Sequence, residues 1–228
     1  MLSMKPFTIL SVAMITAVFF SCNKKAETED NSFSEAAYKV EITGKWKSPE
    51  FAVPANVHYT YFTGMVHNNQ TYLWKEGALA SIGVENIAET GYFLPMFAEI
   101  DSLTAIKKAI YLSFIAPPAA TGISSGNIYC NSNYPCFSCQ SMLAPTPDWF
   151  VGLSSFNLYP NKQWVKDTTI NLYAYDAGTE DGDMFNQTNA DSSPHQPIFK
   201  LTTTNGGAIL ANGNPVLGAI ASIRLIKQ

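Results

Sequence analysis

Two turns in the second half of the chain carry carboxylates and are the residues best suited to chelating a cation. The first turn ends at Asp148, after two prolines, and the second runs from Asp176 to Gly182. Calcium is bound by roughly six to eight hard oxygens, often carboxylates on flexible loops together with backbone carbonyls. Gly178 and Gly182 give the second turn the backbone freedom that a tight chelating loop needs. Asp and Gly also form ordinary solvated turns, and the residue types alone leave that alternative open.

Strand order predicts that these two turns meet. Strand-like runs precede the first turn, follow it, and return over residues 169–175. If the first strand runs upward, the second runs downward and the third upward, so Asp148 and Asp176 lie at the same end of the molecule. Trp149 and Phe150 flank the first turn and are expected to pack beneath it, with exposure as an anchor for a ligand as the alternative.

Short alternations of apolar and polar residues, separated by turn residues, run from residue 38 to the C-terminus. They predict many short antiparallel strands and hence an all-β sandwich. The apolar residues of segment 78–100 are spaced unevenly among glutamates, which suits one or two short helices, and Ser102 would cap a further turn over 102–108. Residues 64–70, with His67 near the tip, and residues 117–134 are predicted as loops. The predicted strands cover residues 38–43, 57–62, 71–74, 109–115, 138–143, 150–153, 169–175, 198–202 and 219–226.

The N-terminus is predicted to target the protein rather than to belong to the fold. Lys5 precedes an apolar run over residues 7–20, which has the length of a signal-peptide core and is short for a membrane span. Ser21-Cys22 follows and resembles a bacterial lipobox, with Phe19 where Leu is usual. We therefore predict a lipoprotein signal peptide over 1–22 with lipidation at Cys22, a flexible tether over 23–36 and one domain over 37–228. An ordinary secretory signal, with Cys22 incidental, is the alternative.

Three further cysteines, Cys130, Cys136 and Cys139, have the spacing Cys-x5-Cys-x2-Cys. An extracytoplasmic compartment favours disulfides, and three thiols leave one over. We expect one bridge that joins Cys130 to either Cys136 or Cys139. A zinc site would need a fourth ligand, and no His adjoins these cysteines, which makes zinc the less favoured alternative.

Charge and motif content exclude several function classes. The formal net charge is −4 and no cluster of Lys and Arg alternates with aromatic residues, so nucleic-acid binding is not expected. The three histidines are scattered, and the chain has neither a nucleophile elbow nor a His-Glu-x-x-His motif, so we predict that the protein is not an enzyme. The alternative is a surface or periplasmic hydrolase of polysaccharide with Asp148 and Asp176 as its acid and nucleophile.

Two long blocks of sequence resemble the spondin domain family of F-spondin and mindin. The first block comprises residues 73–84 and 87–91, with a Trp…Gly…Ala-Ser…Gly-Val…Ala-Glu-x-Gly pattern, and the second comprises residues 144–153 and 172–179. The resemblance implies a C2-like antiparallel β-sandwich with one or two short helices. It also implies an extracellular role in adhesion or recognition and a bound divalent cation, with calcium expected.

Carried over by position, the resemblance implies metal carboxylates at Asp148, Asp176 and Glu180. Family members often have Asp at the last position, and Asp181 follows Glu180 directly, so which of these two reaches the ion stays open. Asp183 is expected to face solvent, and a further acidic ligand is not placed.

We predict a recognition module with a structural calcium ion, lipid-anchored to a bacterial membrane and facing the periplasm or the exterior. Its expected partner is an unidentified protein or glycan, and a purely architectural envelope protein is a further alternative.

Overall fold

The computed structural model describes residues 33–186 and 190–228. The strands and helices, numbered in chain order, are β1 (Glu35–Gly44), β2 (His58–Tyr59), β3 (Phe62–His67), α1 (Ile82–Thr90), α2 (Leu94–Ala105), β4 (Ala109–Ile115), β5 (Ile123–Asn131), β6 (Cys136–Ala144), β7 (Trp149–Asn157), β8 (Asp167–Leu172), β9 (Ala174–Asp176), β10 (Phe199–Lys200) and β11 (Ala221–Lys227). A 3-10 turn lies at Pro160–Lys162.

The strands form two sheets in which neighbouring strands are antiparallel. The four-stranded sheet has the order β5-β1-β11-β8, and the seven-stranded sheet has the order β10-β9-β7-β6-β3-β4, with β2 paired to β6. The register joins Ile42 to Ile223 in the first sheet and Met65 to Ser138 in the second. The predicted all-β antiparallel sandwich with two short helices is confirmed.

Alternating apolar side chains fill the space between the sheets. Tyr38, Val40 and Ile42 of β1 are fully buried, whereas the residues between them are partly exposed, as a period of two requires. Ile223 and Leu225 of β11 are buried in the same cluster. Burying an Ile or Leu side chain stabilises a fold by about 1.5–3 kcal/mol, so these two strands alone anchor the four-stranded sheet firmly.

The two helices pack on the seven-stranded sheet through a second apolar cluster. This cluster joins Val84, Ile87 and Ile100 of the helices to Trp74 and Phe150. All nine residues of β6 are consequently buried, polar ones included, because both faces of this strand are covered. A hydrogen bond of 3.1 Å from the Gln140 side chain to the carbonyl of Val84 ties the sheet to α1.

Local contacts fix where α1 begins and ends. Ser81 caps its first turn by accepting a hydrogen bond from the Val84 N–H, and Gly91 ends it in the left-handed conformation with φ of 72°. Glu99 of α2 accepts hydrogen bonds from Gly83 N and Ser81 Oγ, each 2.7 Å long. The start of α1 is therefore tied to α2.

The prediction of a loop over residues 117–134 is wrong, because this segment contains β5. β5 is the edge strand of the four-stranded sheet, and most of its residues are at least partly exposed. An edge strand needs little apolar sequence, so Ser124, Ser125, Gly126 and Asn127 can lie in the ladder although their types are typical of turns.

Other local predictions also need correction. His67 is not at a loop tip but is the last residue of β3, fully buried, with Nε2 2.8 Å from Ser138 Oγ. Residues 71–74 form no strand. The predicted strand over 169–175 is divided between β8 in one sheet and β9 in the other. Ser102 lies inside α2, where its hydroxyl donates to the Ala98 carbonyl instead of capping a new helix.

The expected disulfide is absent, because Cys130, Cys136 and Cys139 are buried free thiols. Cys130 lies on β5 of the four-stranded sheet and its Sγ is 3.4 Å from the Ala36 carbonyl, whereas Cys136 and Cys139 lie on β6 of the other sheet. Burial raises the pKa of Cys130 and Cys139 to about 12, so both are protonated apolar side chains here.

The sandwich begins slightly earlier than the predicted domain boundary. β1 starts at Glu35, so the last two residues of the predicted tether belong to the sheet. The predicted signal peptide, the lipidation site Cys22 and the tether up to residue 32 lie outside the described residues. Across the described ranges, no helix combines the length and apolar character needed to cross a membrane.

Candidate metal centre

The structure brings the two acidic turns together, as strand order predicts. β6, β7 and β9 are successively antiparallel, so the turn before β7 and the end of β9 share one end of the seven-stranded sheet. Trp149 pairs with Asp176 across β7 and β9, and the Ala177 N–H donates to the Asp148 carbonyl at 3.2 Å. The backbones that carry Asp148 and Asp176 are thus direct neighbours.

Thr146 holds the first turn in shape. Its buried hydroxyl donates to the Leu143 carbonyl at 2.5 Å and accepts from the Trp149 N–H at 3.2 Å. These bonds close the turn between β6 and β7 with one side chain. Asp148, between them, is therefore directed into the protein and is completely inaccessible to solvent.

The Asp148 carboxylate is satisfied on one oxygen only. Oδ2 accepts from the backbone N–H groups of Thr179 at 2.8 Å and Glu180 at 3.1 Å, with the Thr179 hydroxyl at 3.4 Å. Oδ1 is buried and has no hydrogen-bond partner. Burial raises the pKa of Asp148, and the bonds to Oδ2 oppose that rise. A buried carboxylate oxygen without a partner is costly unless a proton or a cation occupies it.

Asp176 shapes the second turn with its own side chain. Its Oδ1 accepts from the Gly178 N–H at 2.8 Å, and Gly178 has a φ of 74°. A Cβ on Gly178 would lie 2.2 Å from the Gln196 carbonyl oxygen, so only glycine fits there. Burial and the charge of Asp148 raise the pKa of Asp176 to about 7.

Glu180, unlike Asp181, is buried among the carboxylates of this region. Glu180 is only 8% exposed, and burial together with the nearby charges of Glu89, Asp148 and Asp191 raises its pKa to about 7. Asp181 is exposed, and its Oδ1 accepts a hydrogen bond of 2.6 Å from Ser192. The side chain of Asp181 is therefore occupied outside the centre.

Sequence reasoning missed Glu89, in the last turn of α1, and Asp191. Burial, Glu85, Asp148 and Asp191 raise the pKa of Glu89, while a hydrogen bond with the Thr179 side chain lowers it. An acidic residue at the C-terminal end of a helix opposes the helix dipole. Glu89 has this unfavourable position, in a last turn that holds no basic residue. Its position was the feature of the sequence that could have identified it as a candidate.

These carboxylates have no basic partner in the part of the chain that the structure describes. No Lys or Arg there forms a salt bridge with Asp148, Asp176 or Glu180. Within the described ranges, no three Asp, Glu, His or Cys side chains are arranged so that they could hold a metal ion as they stand. Backbone carbonyls or water would have to complete any coordination. A depression of about 400 Å³ leads from Asp176 and Glu180 to solvent, which gives an ion a way in.

The two aromatic residues beside the first turn are structural. Trp149 and Phe150 are both completely buried, which confirms packing beneath the turn and contradicts exposure as a ligand anchor. The Trp149 Nε1–H lies close enough to lower the pKa of Asp176 but outside hydrogen-bond geometry. It adds a second unpartnered polar atom to the centre.

The burial of Asp148 also bears on the alternative of a polysaccharide hydrolase. A general acid or nucleophile must contact the glycosidic oxygen or the sugar ring. Asp148 has no access to solvent, and its Oδ2 is held by backbone N–H groups. The arrangement does not suit Asp148 and Asp176 to that chemistry.

The comparisons with known proteins agree with one another on the family. The Spondin_N family model matches residues 36–208. The chain is 28% identical to spondin-2 of Homo sapiens over 179 residues, which are 75% of this chain and 54% of that protein. It is 29% identical to spondin-1 of Gallus gallus over 205 residues, which are 82% of this chain and 26% of that protein.

The chain thus spans about half the length of the spondin-2 relatives and about a quarter of the spondin-1 relatives. The family match, in contrast, covers the sandwich from β1 to the segment beyond β10, including both acidic turns. By this match the chain belongs to the Spondin_N family.

Proposed function

We propose that this protein is an extracytoplasmic recognition module in which a calcium ion holds the two acidic turns together. The single observation that carries the proposal is Asp148 Oδ1, a fully buried carboxylate oxygen without a partner. Asp176 and Glu180 adjoin it, and the charge of Asp148 raises the pKa of both. A divalent cation would remove the repulsion among these groups and give Oδ1 its missing contact.

The donor set fits a hard cation. Asp148 and Asp176 would supply carboxylate oxygens, Glu180 would have to turn towards them to supply a third, and backbone carbonyls and water would supply the rest, as calcium accepts. When bound, the ion would neutralise the negative charge of these carboxylates and so stabilise the fold. The surface that recognises a partner would be formed by the side chains of the protein.

The proposed partner is a protein or a glycan, bound without catalysis, and the proposed location is the cell envelope. The lipobox-like Ser21-Cys22 supports a lipid anchor at Cys22. Membership of the Spondin_N family supports a recognition role, although the relatives extend well beyond the shared region.

Thermal unfolding with and without calcium tests the proposed centre. Ligand that binds only the folded state stabilises it by RT ln(1 + [L]/Kd). With a Kd of about 10⁻⁴–10⁻³ M, typical of extracellular modules, calcium at about 10 mM should raise the Tm by about 3–10 °C. The Asp148→Asn variant should lose this response, because a neutral amide replaces the buried carboxylate.

Asp183→Asn is the matched control, because Asp183 is an exposed acid in the same loop. It should keep the full calcium response. A wild-type Tm that is the same in calcium and in chelator, with no metal in the purified protein, would contradict the proposal. An equal loss of response in both variants would show a non-specific effect of loop charge.

A further inference from the structure

The end of the sandwich opposite the metal centre is basic. β4 and β6 begin at this end and β11 finishes there, as the pairs His67–Ala109, His67–Cys136 and Tyr38–Lys227 show. Five lysines lie at these strand ends or in the adjoining turns, and we call them the lysine end: Lys107, Lys108, Lys162, Lys166 and Lys227.

These lysines are not neutralised by the fold. None of the five forms a salt bridge with a described residue. Glu35 and Asp167 begin β1 and β8 at this end, and Arg224 already holds Asp167 at 2.6 Å. Four of the five lysines are exposed and Lys108 is half-buried. The carboxylates of the metal centre lie at the other end, so the molecule is electrically polar along the strand direction.

Exposed apolar side chains accompany the lysines. Phe33 is 59% exposed, Ile106 is 62% exposed and Tyr129 is 56% exposed. Phe33 precedes β1, Ile106 precedes Lys107, and Tyr129 lies near the end of β5. Basic residues with a few exposed aromatic and aliphatic ones are the composition that interfacial surfaces use on anionic membranes.

The chain also enters the sandwich at the lysine end. The backbone N–H of Ser34 is 3.2 Å from Ser132 Oγ, and Trp164 Nε1 donates to Ser34 Oγ at 2.8 Å. Ten residues lie between Cys22 and Phe33, which makes eleven Cα–Cα steps. A fully extended chain of that length spans at most about 40 Å, so an anchor at Cys22 would keep this end closest to the membrane.

We propose that the lysine end docks on the anionic phospholipid surface of the membrane that holds the anchor. The proposal rests on the proposed lipid anchor for its geometry. Docking in this way directs the metal centre away from the bilayer, where a soluble or cell-surface partner can reach it. Each lysine near an anionic surface strengthens partition by about fivefold.

Vesicle flotation tests the docking directly. The mature chain from residue 22 carries Cys22→Ser, so that no lipid can cause binding. It retains the whole sandwich, which is a compact unit from Phe33 onwards. We expect it to float with vesicles of phosphatidylglycerol and phosphatidylcholine and not with phosphatidylcholine alone. The triple variant Lys107→Glu, Lys162→Glu, Lys166→Glu should weaken partition by at least about a hundredfold, because loss of the three lysines alone accounts for that factor.

A second triple variant is the matched control. Lys45→Glu, Lys47→Glu and Lys200→Glu make the same change in net charge at the metal end, beside the ends of β1 and β10. This control should weaken partition by less than about threefold, because these lysines face away from the bilayer. A Lys→Gln version of the first triple replaces it if the charge reversal prevents folding, and it should weaken partition in the same direction.

Three results would overturn the docking. These are no flotation of the Cys22→Ser chain, equal flotation with neutral vesicles, and equal losses in both triple variants. The first would also be the result if the acidic residues of the tether, Glu27, Glu29 and Asp30, covered the lysines instead. The mass of the native protein tests the anchor separately, since an unmodified Cys22 would remove the anchor while leaving vesicle binding by the Cys22→Ser chain intact.

Discussion

Replacing Asp176 by Asn should make the calcium-free protein more stable at neutral pH, although the residue is a proposed metal ligand. The amide keeps an oxygen that can accept the 2.8 Å hydrogen bond from the Gly178 N–H. It removes the charge that is buried beside Asp148. Without a cation that charge destabilises the folded state, because burial and the charge of Asp148 raise the pKa of Asp176 from 3.8 to about 7.

The raised pKa fixes both the sign and the size of the effect. Between about pH 4 and pH 7 the folded protein keeps a proton on Asp176 that the unfolded chain has released, so the stability of the metal-free wild type falls as pH rises. A shift of about three pKa units corresponds to about 4 kcal/mol. Since part of the shift comes from the Asp148 charge, which is itself reduced by protonation, we expect a difference of about 2–4 kcal/mol between the two proteins near neutral pH.

Urea unfolding of metal-free wild type and Asp176→Asn, from about pH 4.5 to about pH 7.5, measures this difference. The two proteins should differ by at most about 1 kcal/mol at the acidic end and diverge towards neutral pH, with the variant the more stable. Burial lowers the pKa of His67, which makes the folded protein more stable as the pH rises. This contribution is the same in both proteins. Calcium at about 10 mM should narrow the difference by about 1.4–2.7 kcal/mol, because the wild type binds the ion and the variant lacks one of the proposed ligands. A difference that stays flat with pH would refute the reasoning.

Three further predictions concern Glu180, Gly178 and the proposed anchor at Cys22. Glu180→Gln should weaken calcium affinity at least tenfold by calorimetric titration, about 1.4 kcal/mol, whereas Asp181→Asn should leave it within about twofold, since Asp181 bonds Ser192 instead. Gly178→Ala should cost about 2–4 kcal/mol in urea unfolding, because a Cβ there meets a carbonyl oxygen at 2.2 Å, whereas Gly213→Ala, at a similar φ with open space, should cost about 1 kcal/mol. Cys22→Ser should abolish incorporation of labelled fatty acid and release the protein from the membrane fraction, and continued labelling would show a different anchor.

Much of the arrangement could be predicted because it depends on strand direction and residue type. Asp148 and Asp176 meet because three successive strands alternate in direction, which needs no knowledge of register. β1 and β4 were recognisable because their residues alternate or form a continuous apolar run. The two helices followed from the spacing of apolar residues in a segment rich in glutamate.

Other features depend on tertiary contacts that a local pattern does not carry. β5 consists largely of Ser, Gly and Asn and forms a strand only because β1 pairs with it along its whole length. His67 is buried because β4 and β6 flank it, and Ser138 supplies its hydrogen bond. Glu89 lies near Thr179 and Asp148 because α1 docks on the sheet, which its own sequence neighbourhood does not predict.

A crystal structure of the protein soaked in calcium tests the central proposal most directly. Anomalous difference density should show one ion within about 2.3–2.6 Å of Asp148 Oδ1, with Asp176 also in contact. An Asp148 Oδ1 that still lacks a cation at saturating calcium, with Asp176 and Glu180 protonated or turned towards solvent, would contradict it.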